Sequence, residues 1–159
     1  MKKIRLLPFL LALCTVFCSK GQASYLVEQL GRNEHQIVQS LGAFVGNERA
    51  ESQMFDITYH PSGNNVEGRM IINTADYRCT YRLTVPSRLT DDHSVCFKIE
   101  LIIRDPDFLR EFNQLFQFYP TTGTDARRVM NFGDKKLLVE EDTTKTSARY
   151  RTFIITETK

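Results

Sequence analysis

The 159-residue sequence contains no tryptophan, only three histidines and only four cysteines. These shortages limit the chemistry that the chain can perform. Neither cysteine beyond residue 23 belongs to a Cys-x-x-Cys pair, and the chain has no glycine-rich phosphate loop and no nucleophile elbow. Asp91, Asp92 and His93 could bind a metal, but adjacent loop residues seldom supply a closed ligand set. The sequence therefore predicts a protein without catalytic residues, metal or cofactor.

Long apolar stretches are also scarce, and the one that exists lies at the N-terminus. Residues 6–17 form a twelve-residue apolar run that follows three basic residues. A transmembrane helix needs about 20 residues, so this run is too short to span a membrane. Gly21 and Ala23 are the small residues that signal peptidase requires before its cut. The pattern predicts a secretory signal peptide over residues 1–23, a mature chain that begins at Ser24, and no transmembrane span in that mature chain.

Cys18 offers a second processing route, because a cysteine that follows an apolar run can be lipidated. A lipoprotein cut prefers a small residue just before the cysteine and an aliphatic residue three positions before it. Phe17 and Thr15 occupy those positions, so neither preference is met. Cleavage by signal peptidase after Ala23 predicts a periplasmic or secreted protein. The alternative is a protein anchored to a membrane through a lipid on Cys18.

Removal of the leader reverses the sign of the net charge. The whole chain carries +2, but residues 1–23 contain four cations and no acid. The mature chain keeps 17 of the 21 basic residues against 19 acidic ones, a net charge of −2. Binding of nucleic acid needs a concentrated positive surface, so we expect no nucleic-acid partner.

Two cysteines, Cys79 and Cys96, remain in the mature chain. In an oxidising compartment a disulfide between them is the default expectation. The alternation of apolar residues argues against it, because it places Cys79 on the apolar side of one strand and Cys96 on the polar side of the next. Side chains on opposite faces of a sheet cannot form a disulfide unless a bulge intervenes. A disulfide and two free thiols both stay open.

The mature chain opens with a pattern typical of two short helices. Residues 25–30 form the first, and Gly31 ends it. Asn33 and Gln36 have the spacing of a capping box at the start of the second. Gly42 stands where a left-handed C-cap residue ends a helix. The second helix offers no cation, so we interpret the hairpin as a packing element and not as a DNA-binding one.

Alternating patterns then predict strands over residues 55–59, 66–72, 77–85 and 95–103, with a turn over 61–65. An amphipathic helix follows over 106–118, capped by Asp105. Further strands are predicted over 129–132, 137–140 and 150–155. The expected fold is α+β: an antiparallel sheet with a four-stranded meander and later strands, covered on one face by the helical hairpin and the amphipathic helix. We expect a single domain over 24–159, with a possible division into two α-then-β halves, 24–104 and 105–159.

The helical hairpin resembles a known family over residues 26–85. Its spacing is similar to the Gly-x-Ser/Thr-x-x-x-Val-x-x-x-Leu-Gly signature of the small outer-membrane-assembly lipoproteins (the SmpA/OmlA type), in the residues Gly31, Asn33, Ile37, Leu41 and Gly42. Secreted β-lactamase-inhibitor proteins have the same architecture of a helix pair and a sheet. The resemblance implies an envelope adaptor or an inhibitor without enzymatic activity. The chain departs from the signature at Arg32, where Met is usual, at Asn33, which stands in for Ser or Thr, and in the absence of a proline after Gly42.

We therefore expect an exported, non-catalytic binding or adaptor module of the cell envelope, whose partner is another protein of the envelope or extracellular space. Two alternatives stay open: a secreted inhibitor of another protein, and a small-ligand carrier or hydrolase with a pocket between helix and sheet. The candidate binding residues lie on one predicted strand and are Tyr77, Arg78, Tyr81 and Arg82. The oligomeric state is left open.

Overall fold

In the computed structural model, residues 21–45, 52–54, 60–62, 65–86, 93–118 and 126–158 are described. Their helices are α1 (Gln22–Val27), α2 (Glu34–Val45) and α3 (Pro106–Phe116). Their strands are β1 (Ser52–Met54), β2 (His60–Ser62), β3 (Asn65–Asn73), β4 (Tyr77–Pro86), β5 (Val95–Ile103), β6 (Arg127–Phe132), β7 (Lys135–Glu141) and β8 (Arg151–Glu157). The predicted α+β class is confirmed. Residues 55–59, where a strand was predicted, lie outside the described part of the chain.

The strands form one antiparallel sheet with the order β1-β3-β4-β5-β8-β7-β6, and β2 also pairs with β3. Six strands are long, and β1 and β2 contain three residues each. The meander β3-β4-β5 is followed by α3, after which β8, and not β6, returns beside β5. The sheet is therefore continuous between the two predicted halves, 24–104 and 105–159. No helix in the described residues is both long and apolar enough to cross a membrane.

One face of the sheet carries the core. Alternate residues of β4 point to this side, from Tyr77 to Val85, and all are buried. Residues of α1, α2 and α3 belong to the same cluster. Phe112 of α3 packs on Phe153 of β8 with ring centroids 4.4 Å apart, and Tyr77 stacks on Phe108 at 5.0 Å. The predicted cover of one face by helices follows from these contacts.

The pairing of β4 with β5 contains a bulge that corrects one prediction. Arg82 pairs with Lys98, but Leu83 pairs with Cys96, so Phe97 is the extra residue. A bulge shifts the alternation of a strand by one residue. Cys96 therefore turns to the core, where it is buried, and Phe97 is 38% exposed. The prediction that Cys96 lies on the face opposite Cys79 was wrong.

The start of the helix pair follows the predicted local signals. Gly31 has a φ of +82°, a conformation that glycine adopts without strain. Asn33 Oδ1 accepts from the Gln36 amide at 2.8 Å, and Gln36 Oε1 accepts from the Asn33 amide at 3.1 Å. This is the reciprocal capping box. The predicted C-cap at Gly42 was wrong, because α2 continues to Val45.

The amphipathic helix begins as predicted and ends earlier. Asp105 accepts a hydrogen bond from the Phe108 amide at 2.7 Å, and Pro106 occupies the first helical position. The helix ends at Phe116, two residues before the predicted end, because Gln117 adopts the left-handed conformation with a φ of 47°. The Phe118 amide then donates to the Asn113 carbonyl and closes the last turn.

Candidate functional surface

Two of the four candidate binding residues lie in the core. Tyr77 and Tyr81 have no exposed surface. The hydroxyl of Tyr81 donates to the carbonyl of Leu26, in the last turn of α1, at 3.2 Å. The proposed role of these tyrosines in binding is corrected, because a partner cannot reach a side chain that lies beneath the helices.

The other two candidates lie on the opposite side of the sheet. Arg78 and Arg82 are half-buried and belong to what we call the open face, the side of the sheet away from the helices. Paired residues of adjacent strands share a face, so the register identifies the neighbours of Arg82. They are Arg69 on β3 and Lys98 on β5. Three cations thus lie side by side across three strands.

We call Arg69, Arg82 and Lys98 the cationic row. Like charges directly opposite each other destabilise a sheet unless a counter-charge lies close. Glu100 supplies one, since Oε1 of this carboxylate is 3.2 Å from Arg82 Nε and 3.2 Å from Lys98 Nζ. Arg69 is exposed and is absent from the ion pairs formed among the described residues. The row therefore keeps more positive than negative charge.

The ionisation of Glu100 reflects this arrangement. Partial burial of the carboxyl by itself raises the pKa, but Arg82 and Lys98 outweigh that effect and hold the pKa of Glu100 below its usual value of 4.5. Glu100 is consequently ionised at neutral pH. It neutralises about one of the three cations in the row.

The open face also presents apolar side chains beside the cationic row. Register places Ile71 two residues along β3 from Arg69, and Ile154 opposite Glu100 on β8. Further toward the β6 edge, Val129 pairs with Leu138 and is 51% exposed. Mixed apolar and charged surfaces of this type are common in protein–protein interfaces.

Both thiols are free in the structure, so the possible disulfide between Cys79 and Cys96 is not formed. Cys79 pairs with Leu101, whereas Cys96 pairs with Leu83, four residues away along β4. Four residues of a strand span about 13 Å, well beyond the 4.4–6.8 Å between bridged Cα atoms. Burial raises the pKa of the Cys96 thiol to about 12 and that of Cys79 still further. Thiols of this kind are poor nucleophiles.

No cluster of metal-ligating side chains occurs within the described ranges. His35 and His93 are both exposed there. Asp91 and Asp92, which could have joined His93 around a metal, lie outside the described residues. The side chain of His60 does too.

One cleft of about 570 Å³ lies between α1 and the β6–β7 turn. Its polar and charged lining includes Ser24, Glu28, Arg32, Asp134 and Lys135. An enclosed apolar cavity with converging polar groups would favour the carrier or hydrolase hypothesis, whereas the side chains that line this cleft are mainly polar and charged. Ser24 is hydrogen-bonded to Glu28 at 3.3 Å, and the described residues that line the cleft do not include a histidine that could serve as a base.

Comparison with protein-family models, with curated proteins and with solved structures gives no match. The resemblance to the SmpA/OmlA-type lipoproteins therefore stays a prediction from the sequence. The candidate surface rests on the geometry of the sheet alone.

Sequence reasoning included Arg82 and Arg78 but missed Arg69 and Lys98. Each of the missed residues is an isolated cation in an alternating strand, which is the ordinary pattern of a solvated sheet face. Only the register between β3, β4 and β5 brings the three cations of the row together. No pattern within the single strands could have found them, because this register is known only from the pairing in the structure.

Proposed function

We propose that this protein is an exported, non-catalytic binding or adaptor module of the cell envelope, and that its open face binds an acidic segment of another protein. The cationic row is the observation that carries the proposal. Arg69, Arg82 and Lys98 lie side by side although opposed like charges destabilise a sheet, and the carboxylate of Glu100 contacts only Arg82 and Lys98. An acidic ligand would supply the missing negative charge.

The overall charge of the chain makes this surface distinctive. Residues 21–159 contain 17 basic and 19 acidic residues, a net charge of −2. A local positive row on a slightly acidic protein attracts an acidic segment to one place, and it gives little general attraction for polyanions. The neighbouring apolar residues Ile71 and Ile154 can contribute contact area, as in the centre of other interfaces.

The proposal is tested with a fluorescent oligo-glutamate peptide as the probe, titrated at two salt concentrations. We expect Arg69→Glu to weaken binding by roughly tenfold, equivalent to about 1.4 kcal/mol, without lowering the melting temperature. Arg149→Glu is the matched control, since Arg149 is also exposed but lies far from the cationic row. Lys98 of the row pairs with Thr156 near the end of β8, whereas Arg149 lies in the turn before the start of β8. The control should bind as the unchanged protein does.

A second variant moves affinity and stability in opposite directions. Glu100→Gln removes the carboxylate between Arg82 and Lys98, so we expect tighter binding of the acidic peptide. The same change should lower the free energy of unfolding at pH 7 by up to ~1 kcal/mol, since the ion pairs are partly exposed. The pKa of Glu100 is lowered in the folded state, so its contribution to stability is present above about pH 4.5 and is lost as the pH falls. The variant and the unchanged protein should therefore converge in stability in acid.

Three results would contradict the proposal. One is equal peptide binding by the unchanged protein and Arg69→Glu. Another is preferential binding to vesicles of anionic phospholipid, which would make the open face a membrane-binding surface. A third is the capture of the same proteins, in equal amounts, from an envelope fraction by the Arg69→Glu and Arg149→Glu variants.

A further inference from the structure

Helix α1 belongs to the folded core, although its first two residues were predicted to leave with the signal peptide. Ala23 has no exposed surface and lies in one cluster with Leu26, Val27 and Leu30. The Ala23 amide donates to Glu111 Oε1 of α3 at 3.3 Å. The Tyr25 amide donates to the Gly21 carbonyl at 2.8 Å and forms the first turn.

A cut after Ala23 would remove these interactions. It would take away the carbonyl that accepts from Tyr25 and the amide that binds Glu111, and it would empty a buried site in the core. It would also create an ammonium group at Ser24, inside the first turn of α1. A positive charge there opposes the partial positive charge of a helix N-terminus.

A cut before Gly21 removes none of these groups. Of the two cuts that the sequence predicts, the one after Ala23 divides α1, and the one before Cys18 leaves it whole. Cys18 would then be followed by two residues before Gly21.

We infer that the leader is removed N-terminal to Gly21, by hydrolysis of a peptide bond at or upstream of residue 20, so that the mature protein keeps Gln22 and Ala23. This inference rests on the export that the proposed function includes. It changes the expected mature chain from one that starts at Ser24 to one in which α1 is complete.

The test expresses the full-length chain in a bacterial host and identifies the N-terminal peptide of the processed protein by mass spectrometry under denaturing conditions. A processed chain whose N-terminus lies at Gly21 or upstream of it supports the inference. An N-terminus at any residue from Gln22 to Ser24 overturns it but leaves export standing. If the chain keeps residues 1–17 in both the envelope fraction and the cytoplasm, the leader is not removed. That result would contradict both the proposed export and this inference.

Ala23→Leu provides an independent check. A large residue just before the cut blocks a signal peptidase that acts after position 23, whereas it leaves a cut upstream of Gly21 untouched. We expect the variant to be processed at the same position and to the same extent as the unchanged chain. Accumulation of the unprocessed variant would contradict the inference, and the denaturing readout makes the result independent of whether leucine fits the core.

Discussion

Tyr81 illustrates how a polar residue can be required inside an apolar core. Alternation along β4 predicted its apolar side correctly, but the sequence offered no reason to place its hydroxyl at the end of a helix. The last carbonyls of a helix have no partner within the helix. Leu26 obtains one from Tyr81, and in the turn after α1 the carbonyl of Leu30 accepts from Lys135 Nζ.

The Tyr81→Phe variant should lower the free energy of unfolding by about 1–3 kcal/mol, the usual cost of leaving a buried polar group without its hydrogen bond. Urea denaturation followed by circular dichroism measures the change. Tyr150→Phe serves as the control, because Tyr150 is 38% exposed, and it should be nearly neutral. A Tyr81→Phe variant as stable as the unchanged protein would mean that the hydroxyl contributes nothing.

The two cysteines should be unreactive while the protein is folded. Burial raises the pKa of the Cys96 thiol to about 12 from an ordinary value of 9.0, and it raises that of Cys79 as well. N-ethylmaleimide at pH 8 should therefore modify neither thiol in native protein and both in urea, as measured by intact mass. The unfolded thiols ionise first as the pH rises, so stability should decline above about pH 9. Rapid native labelling of either cysteine would contradict the burial.

At the scale of elements, the turn between α1 and α2 joins the helix pair to the sheet. The Gly31 amide donates to the Cys96 carbonyl at 2.8 Å, and the Cys96 amide donates to the Arg32 carbonyl at 2.9 Å. The hydroxyl of Ser94 accepts from the Glu34 amide at 2.8 Å. These bonds occur at the start of β5, next to the bulge at Phe97. Local sequence signals predicted the glycine and the capping box, but not the strand on which they dock.

Replacement of two glycines by alanine should distinguish the cost of a left-handed backbone conformation from the cost of a steric contact made by the added Cβ. Gly31 and Gly133 both have positive φ, at +82° and +61°, but only at Gly31 does an added Cβ meet a neighbour, with Lys135 Nζ 3.1 Å away. Gly133→Ala should cost about 1 kcal/mol, the ordinary price of a left-handed alanine. Gly31→Ala should cost more, because Lys135 Nζ, which donates to the Leu30 carbonyl, must also shift by a few tenths of an ångström. Thermal denaturation of both variants measures the difference, and equal melting temperatures would contradict it.

At the scale of the whole molecule, the return of β8 beside β5 unites the two predicted halves. Six residue pairs join these strands, and Phe153 of β8 contacts Phe112 and Phe118. Side chains from α1 to β8 form one core cluster. Apolar side chains of both halves therefore pack in the same core.

Unfolding should accordingly be one cooperative transition. Urea curves recorded by far-ultraviolet circular dichroism and by tyrosine fluorescence should coincide, as they do for a single cooperative unit. Phe153→Ala, which leaves a cavity at the junction, should shift both curves together by an amount equivalent to about 3–5 kcal/mol. Two separated transitions, or a shift in only one of the curves, would show that residues 24–104 and 105–159 fold independently.

The sequence by itself determined the class of the fold, the strands from β3 to β5, the capping box at Asn33 and the start of α3 at Pro106. All of these depend on alternation, helical spacing or capping groups within a few residues of each other. Only the tertiary structure decided the neighbour of β5, the inward turn of Cys96, the burial of Ala23 and the alignment of Arg69, Arg82 and Lys98. Each of these depends on which distant segments pair and in which register. Alternation along one strand shows which of its residues share a face, but it does not show which strand pairs with it.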